Sequence, residues 1–232
     1  MINLKNIVGI IREISSYEQR TITMTGPLSA RYLYEYFTKR HPTYRIFRNK
    51  SIGVALIDVP SPFEAFLKGS RMMDMRNKRK RAQKLGYVFR SIKSAEYRED
   101  ILAVHHSTVI RNGREMDQDY MDAEKVDQYL DKHPNFYGIF DPEGHLRAYC
   151  HAELLGEICV ICRIMGHADY LNDGIMYLLV SELVRDISLN QPGMKYLMYD
   201  TMLGATPGLR HFKDRAGFLP YKVKWRWLDL EG

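Results

Sequence analysis

Cysteine is scarce in this sequence of 232 residues, which contains only Cys150, Cys159 and Cys162. Because an odd number of cysteines cannot all pair, the chain does not read as a disulfide-stapled secreted domain, and it fits a reducing compartment. Long apolar runs are also missing: the longest, IVGII and GIMYLLV, fall far short of the roughly 20 residues that cross a bilayer. We therefore expect a cytoplasmic protein with no stable membrane insertion.

Internal repeats and low-complexity linkers are absent too, and residues 1–14 lack the apolar stretch and cleavage site of a signal peptide. What the sequence does have is a hydrophobic content of 45%, with 12% aromatic residues. Because these residues are spread along the chain, they can bury a core, which argues against disorder. We expect one large domain, or one domain with a substantial extension.

Positive charge is concentrated in one segment. Residues 68–84 hold eight Lys or Arg and a single acidic residue, whereas the whole chain carries only +6. This segment lies within 61–86, which has strong helix signals: Ser61 as N-cap, Pro62 in the first turn and Gly86 as the stop. We predict one helix there of about 24 residues, roughly 36 Å long.

Three interpretations of this basic segment are open. A solvated helix face is the usual fate of a charge run. Few acidic residues lie four positions away to pair with the cations, which favours an anionic partner such as the phosphate backbone of RNA. An anionic membrane surface fits less well, because no apolar face runs beside the cations. The candidate RNA-binding residues are Arg76, Lys78, Arg79, Lys80, Arg81 and Lys84.

Strands and helices alternate along the rest of the chain. We predict a helix-hairpin extension over 1–60, the basic helix over 61–86 and an α/β domain over 87–232, with a mixed, mostly antiparallel sheet flanked by helices. The elements predicted are a helix at 26–42, two strands within 44–59, a strand at 87–92, helices at 95–113 and 122–134, three antiparallel strands between 136 and 166, a helix at 173–189, a strand at 195–200, a helix at 206–217 and a strand at 217–228.

That element order, with Gly-Phe opening the last strand after a short helix, resembles the GNAT acyltransferase fold over 87–232. Two segments are similar to Fem-type (FemABX-like) proteins: the Arg/Lys run with AQKLG before a strand, and LRHFKDRAGFLP at 209–220, which matches Phe-Lys-x-x-x-Gly-Phe. This resemblance implies an enzyme that moves an aminoacyl group from aminoacyl-tRNA to an amine, with the basic segment binding tRNA.

The family usually has two such lobes, and this chain has one, with about 60 residues before the basic segment. The acceptor therefore stays open between a peptide and a small-molecule amine. A homodimer is one way to replace the missing lobe. The resemblance implies no cofactor beyond the aminoacyl-tRNA itself.

Five residues are candidates for the chemistry. Lys213 is carried over from the family motif as the cation that stabilises an oxyanion, and Phe212 as the residue that orients the acceptor end. Asp200 ends a buried strand, where sites in open sheets gather, and is a candidate to accept or position the proton of the amine. Tyr199 and Tyr221 are candidates to line the substrate cleft.

A second reading is an acetyl-CoA-dependent N-acetyltransferase. RIMGHA resembles the Arg-x-x-Gly-x-Ala pyrophosphate loop of ordinary GNAT enzymes, with Arg163, Gly166 and Ala168 as the binding residues. Asp169 and Asp173 follow at once, and their charge opposes a pyrophosphate. A third reading is a non-catalytic GNAT-fold module that binds nucleic acid. No metal site is predicted, because the adjacent histidines at 105–106 point to different helix faces.

Overall fold

A computed structural model describes residues 12–42, 47–111 and 113–229 of the chain. Its main feature is an eight-stranded sheet, accompanied by a separate two-stranded hairpin. The strands are β1 (Gln19–Met24), β2 (Ile52–Asp58), β3 (Val88–Ile92), β4 (Ile110–Arg111), β5 (Arg114–Glu115), β6 (Phe136–Phe140), β7 (Leu146–Leu155), β8 (Ile158–Gly166), β9 (Tyr196–Thr201) and β10 (Leu219–Trp227).

The strand order in the large sheet is β1-β10-β2-β9-β8-β7-β6-β3. Only the β1–β10 and β8–β9 pairs are parallel, and the other pairs are antiparallel. The predicted mixed, mostly antiparallel sheet is therefore confirmed. The three-stranded meander β6–β7–β8 and the later crossover from β8 to β9 follow the predicted order.

Helices cover both faces of the sheet. Residues 12–16 are helical as well. The labelled helices are α1 (Arg31–Thr38), α2 (Met73–Lys84), α3 (Arg98–His106), α4 (Gln118–Met121), α5 (Ala123–Lys132), α6 (Ile175–Asn190) and α7 (Pro207–Arg215).

Alternation along each strand divides the core between the two faces. Along β8, Cys159 and Ile161 pack with α2 and α6, whereas Ile158 and Val160 face the opposite side, where α1 packs. Further along the sheet, α3 and α5 cover β6 and β7 on that second face. No helix in the described ranges 12–42, 47–111 and 113–229 is long and apolar enough to cross a membrane.

The predicted continuous helix at 61–86 is wrong. Two short 3-10 turns, Phe63–Ala65 and Ser70–Met72, precede α2, whose 12 residues span only about 18 Å. Gly69 lies between the turns with φ of +85°, a left-handed conformation that interrupts a right-handed helix. The predicted stop at Gly86 has the positive φ expected of a C-terminal glycine.

The helix predicted at 95–113 ends early, at His106. The hairpin of β4 and β5 follows, and Gly113, with φ of +74°, belongs to that hairpin rather than to a helix C-terminus. This difference matters because the hairpin lines a cavity that also contains Lys213. The helix predicted at 26–42 is shorter as well, since it begins as a 3-10 turn and α1 ends at Thr38.

The N-terminal segment contributes two strands to the large sheet. Strand β1 was not predicted. Strand β2 matches the second of the two strands predicted within 44–59. The first of them precedes the turn at 48–50, and residues 44–46 of it lie outside the described residues. Because β2 lies between β10 and β9, the sheet is continuous across the boundary predicted at residue 60.

Candidate active site

A cleft opens where two parallel strands separate. Strand β8 pairs with β9 only between Ile158–Val160 and Tyr196–Met198, but it stays paired with β7 as far as Gly166. Beyond the pairing, β9 continues beside β2. Two adjoining cavities of about 400 Å³ each lie at this opening. Both cavities are lined by Arg111, Met165 and Leu209.

Helix α7 carries Lys213 into the cleft. Thr206 caps the helix by accepting a hydrogen bond from the amide of Leu209, and Pro207 occupies the first turn, as the sequence predicts. The Lys213 side chain is completely buried, and its Nζ donates to the carbonyl of Thr201 over 2.9 Å. The ammonium also lies 4.4 Å from the centre of the Tyr199 ring.

The environment of Lys213 weakens its hold on the proton. Burial lowers the pKa of Lys213 to about 8, while the charge of Asp200 acts in the opposite direction. Lys213 is therefore mainly a cation at neutral pH, yet it is much closer to losing its proton than an exposed lysine. No carboxylate forms an ion pair with it in the described part of the chain.

Asp200 lines the same cavity as Lys213, at the point where β9 ends. Its backbone has a φ of +52°, a left-handed conformation that aspartate tolerates better than most residues. Its half-exposed carboxylate forms an ion pair with Lys50. That partner holds the carboxylate in place and neutralises part of its charge.

Phe212 and Tyr199 line the other cavity. Phe212 meets the ring of Tyr177 edge-on at 5.3 Å, and Tyr199 packs at 5.9 Å against Phe218, so both rings are fixed by aromatic neighbours. The structure thus brings together four of the five residues that the sequence suggests for the chemistry: Lys213, Phe212, Asp200 and Tyr199.

Tyr221, which the sequence suggests as a cleft residue, does not line either of these two cavities. Its hydroxyl donates to Asp58 over 2.9 Å, and the Arg20 guanidinium lies over its ring at 4.6 Å. The reason is strand alternation: Tyr221 shares its face of β10 with Val223 and Trp225, which pack against α1.

The residues of the proposed CoA loop are only partly assembled. Gly166 and Ala168 line the cavity with Phe212. The amide of Ala168 already donates to the Ser107 hydroxyl, over 3.0 Å. The Arg163 guanidinium lies elsewhere, 3.5 Å from the centre of the Tyr129 ring, so Arg163 does not join the other two residues.

Arg111 is a cleft residue that sequence reasoning missed. Its guanidinium donates to the carbonyls of Gly166 (3.0 Å) and Val104 (3.3 Å), while its buried Nε has no partner among the described residues. Burial lowers the pKa of Arg111, and no carboxylate pairs with it in the described ranges. Such a cation favours an oxygen-rich or anionic ligand group. Local sequence patterns contain no signal for this role, because Arg111 falls in a segment with a helical pattern.

Comparison with known proteins gives no match to any protein-family model or to any curated protein. Among solved structures, a conserved protein of unknown function from Bacteroides thetaiotaomicron aligns with a TM-score of 0.57 at 16% identity, covering 74% of this chain and 58% of that one. FemX aligns with a TM-score of 0.53 at 11% identity, covering 73% and 59%. The fold is that of the GNAT acyltransferases.

L-PGS from Bacillus licheniformis has the same fold, with a TM-score of 0.51, 18% identity and coverage of 74% of this chain and 60% of that one. This chain therefore spans about three fifths of the length of the proteins that it matches. Identities this low show the shared GNAT fold alone, so the activity has to be argued from the site.

The basic helix α2 is joined to α7, the helix that carries Lys213. Arg71 and Asp214 form an ion pair of 3.0 Å, and Arg215 and Asp74 form one of 3.1 Å, which together tie the start of α2 to α7. At its other side α2 packs on the first turn of α6. A Cβ on Gly174 would lie 2.4 Å from the carbonyl oxygen of Lys78, so only glycine fits there.

The six candidate RNA-binding residues divide into two groups. The arginines bond to the protein: Arg76 donates to the carbonyls of Leu67 and Gly69, Arg79 pairs with Glu182 at 2.5 Å, and Arg81 reaches Asp173 at 3.4 Å. The side chains of the three lysines, Lys78, Lys80 and Lys84, form no hydrogen bond or ion pair with another described residue. Lys80 and Lys84 are exposed, and Lys78 is half-buried.

Proposed function

We propose that this chain is an aminoacyltransferase that moves an aminoacyl group from aminoacyl-tRNA to the amine of a peptide or small-molecule acceptor. The observation that supports this best is Lys213 in the wall of an open cleft, a buried cation that forms no ion pair with any carboxylate of the described residues. Transfer from an ester passes through a tetrahedral oxyanion, which a preorganised cation stabilises far better in a dry site than in water.

The proposed reaction needs little beyond placement and charge, because the ester is already activated. The neutral amine attacks the ester carbon, and the bond from that carbon to the ribose oxygen breaks. The ribose hydroxyl takes up one proton and the amine loses one. With a pKa of about 8, Lys213 has an acidity that suits hydrogen bonding to the oxyanion and donating toward the leaving ribose oxygen.

Two further residues have roles in this proposal. Asp200 positions the incoming amine, since its carboxylate lines the same cavity as Lys213. Arg111 binds a carbonyl or anionic group of the donor or acceptor, because it lines both cavities and has an unpartnered Nε. Outside the cleft, the tRNA backbone is contacted by Lys78, Lys80 and Lys84. Contacts between lysine and phosphate depend on charge and do not require recognition of particular bases.

A comparison of two acyl donors tests this proposal. The protein is incubated with a mixture of primary amines and either bulk tRNA charged with radiolabelled amino acids or radiolabelled acetyl-CoA. We expect label to move to the amines only from charged tRNA, and the Lys213→Met variant to lose the transfer. Lys224→Met, which changes an exposed lysine of β10, is the matched control. Transfer that is equally fast with Lys213→Met would contradict the proposal.

The acetyl-CoA alternative is supported by one observation, the presence of Gly166 and Ala168 in the lining of the cavity beside Phe212. A ligand at 100 times its dissociation constant adds about 2.7 kcal/mol of stability, which corresponds to a rise in melting temperature of roughly 5–10 °C. If acetyl-CoA gives such a rise, and Gly166→Glu abolishes it in a folded protein, the donor is CoA-bound. If tRNA binds but neither donor reacts, the third reading, a non-catalytic nucleic-acid-binding module, replaces both.

A further inference from the structure

A second polar cluster lies outside the cleft, where the end of α5 meets β7. His151 and Glu153 are two positions apart on β7 and therefore share one face of the sheet. His133 directly follows the last residue of α5 and brings its ring over the same face. The rings of His133 and His151 lie 4.6 Å apart. Sequence reasoning missed the cluster, because 17 residues, including a strand, lie between the two histidines.

The donor atoms of this cluster converge on one point. Glu153 Oε1 lies 3.1 Å from His151 Nε2 and 3.5 Å from His133 Nδ1. The three donor atoms all lie within 4.8 Å of one another. Ligands at the usual bond length around a tetrahedral zinc ion are separated by about 3.4 Å. The two separations from Glu153 are therefore already close to the spacing that such an ion requires.

The neighbours of His151 fix its ring in the orientation that ligation needs. The ring is completely buried and stacks on Phe136 with a centroid distance of 4.9 Å. The hydroxyl of Tyr129 lies 2.5 Å from Nδ1. When Nδ1–H donates to that hydroxyl, the lone pair of Nε2 faces His133 and Glu153. A hydrogen bond from the second ring nitrogen is the usual support of a metal-bound histidine.

Access and charge limit the kind of ligand. The side chains of His133 and Glu153 are 22% and 15% exposed, so an ion can enter from solvent. The Arg163 guanidinium stacks on Tyr129 nearby and opposes a cation, which leaves Glu153 as the neutralising charge. Two imidazoles with one carboxylate suit first-row transition metals, rather than the all-oxygen sites of calcium or magnesium.

We propose that His133, His151 and Glu153 bind a divalent first-row transition metal, with zinc as the reference ion and a fourth position open to water. The bound ion would connect the end of α5 directly to β7. It would then stabilise the fold against separation of these two elements. This proposal does not depend on the proposed aminoacyl transfer, since none of the three residues lines the cleft cavities.

Metal titration of the 232-residue chain tests the site. After treatment with a chelator and buffer exchange, Zn²⁺ is added in a calorimeter and Co²⁺ in a visible spectrophotometer. We expect one ion per chain, d–d absorption of a four- or five-coordinate Co²⁺ complex, and a rise in melting temperature of a few degrees at saturating Zn²⁺. His133→Asn and Glu153→Gln should each weaken Zn²⁺ binding by about 100-fold or more.

Two control variants separate this site from adventitious binding. His145→Asn changes an exposed histidine 4.0 Å from Asp100, where the described residues supply no third ligand, and should leave Zn²⁺ affinity unchanged. Cys162→Ser removes the exposed thiol and should also leave it unchanged. Absence of stoichiometric binding to the wild type overturns the proposal, whatever the variants do. So does binding that survives both ligand variants, or binding lost only in Cys162→Ser.

Discussion

Helices α2 and α7 both carry cations, but the surroundings of those cations differ completely. The segment that contains α2 is crowded with Lys and Arg, and most of them either face solvent or bond to neighbouring protein groups. Helix α7 places one lysine, Lys213, completely inside the cleft wall. The number of charged residues singles out α2 as a candidate functional element, whereas the burial of a charge singles out α7. We therefore propose that the charge density of α2 marks a binding surface and that the buried charge of α7 marks the site of chemistry.

A second contrast lies within α2 itself. The arginines Arg76, Arg79 and Arg81 bond to carbonyls or carboxylates of the protein, and the lysines Lys78, Lys80 and Lys84 do not. The planar guanidinium makes several directed hydrogen bonds at once, whereas a lysine ammonium is strongly hydrated and stays in water. About half of the Lys and Arg residues in this basic segment therefore bond to other groups of the protein, and the side chains of the rest can contact a partner.

The largest expected effect is the loss of transfer in Lys213→Met. Removing a preorganised oxyanion donor costs about 100- to 1,000-fold in rate, roughly 3–4 kcal/mol. The variant should nevertheless be at least as stable as the wild type, because it no longer buries a charge in the cleft wall. Single-turnover rates and thermal melts measure the two quantities. If Lys213→Met loses activity only because it unfolds, the result would contradict a chemical role for Lys213 in α7.

The next effect is on stability. Arg79→Ala leaves the carboxylate of Glu182, which is 10% exposed, with only Arg185 as a partner at 3.3 Å. Breaking such a pair costs about 3 kcal/mol, whereas Lys80→Ala, on the exposed face of the same helix, should change stability by less than about 0.5 kcal/mol. Denaturant unfolding measures both. Equal effects would mean that α2 is uniformly solvated.

The pH dependence of stability gives a third test. The pKa of Lys213 is about 8 in the folded protein, against 10.5 for an ordinary lysine, so folding disfavours its charged form below pH 8. Between pH 8 and 10.5 the folded state releases this proton before the unfolded state does, and stability from this group rises by about 3 kcal/mol. The excess stability of Lys213→Met over the wild type should therefore shrink across this window. A constant difference would mean that Lys213 is not desolvated.

The smallest expected effect concerns tRNA binding. Changing Lys78, Lys80 and Lys84 together to Gln should reduce the slope of log K against log salt by about 2 to 3. Fluorescence anisotropy with bulk tRNA at several salt concentrations gives that slope. Gln substitutions of the exposed lysines Lys93, Lys132 and Lys224, which lie outside α2, are the matched control. An equal reduction in the control would mean that the charge of α2 is not special.

Local patterns predict much of this fold. The meander β6–β7–β8, helix α6 and the Thr206-Pro207 start of α7 follow from alternation, apolar content and capping. Strand β1 could not be predicted, because it pairs in parallel with β10, with Gln19 opposite Lys222, and such a distant pairing leaves no local signal. The break at Gly69 was missed because the polar run on its far side continues the helical composition.

The candidate site was predictable only in part. Lys213 and Phe212 came from a motif resemblance, and Asp200 from its place at the end of a buried strand; all three line the cleft cavities, as does Tyr199. Arg111 was not found, because its hairpin was interpreted as the end of a helix. Tyr221 was expected in the cleft but lies on the face of β10 that packs against α1. The face on which a strand residue lies depends on the register of the sheet rather than on composition.

The most direct test of the account is single-turnover transfer from charged tRNA, measured as a function of tRNA concentration. It compares the wild type, Lys213→Met and the triple Gln variant of Lys78, Lys80 and Lys84. We predict that Lys213→Met keeps the half-saturating tRNA concentration and loses the maximal rate, while the triple variant keeps the maximal rate and needs more tRNA. A triple variant that loses the maximal rate, or a Lys213→Met variant that loses only affinity, would contradict the assignment of chemistry to α7 and binding to α2.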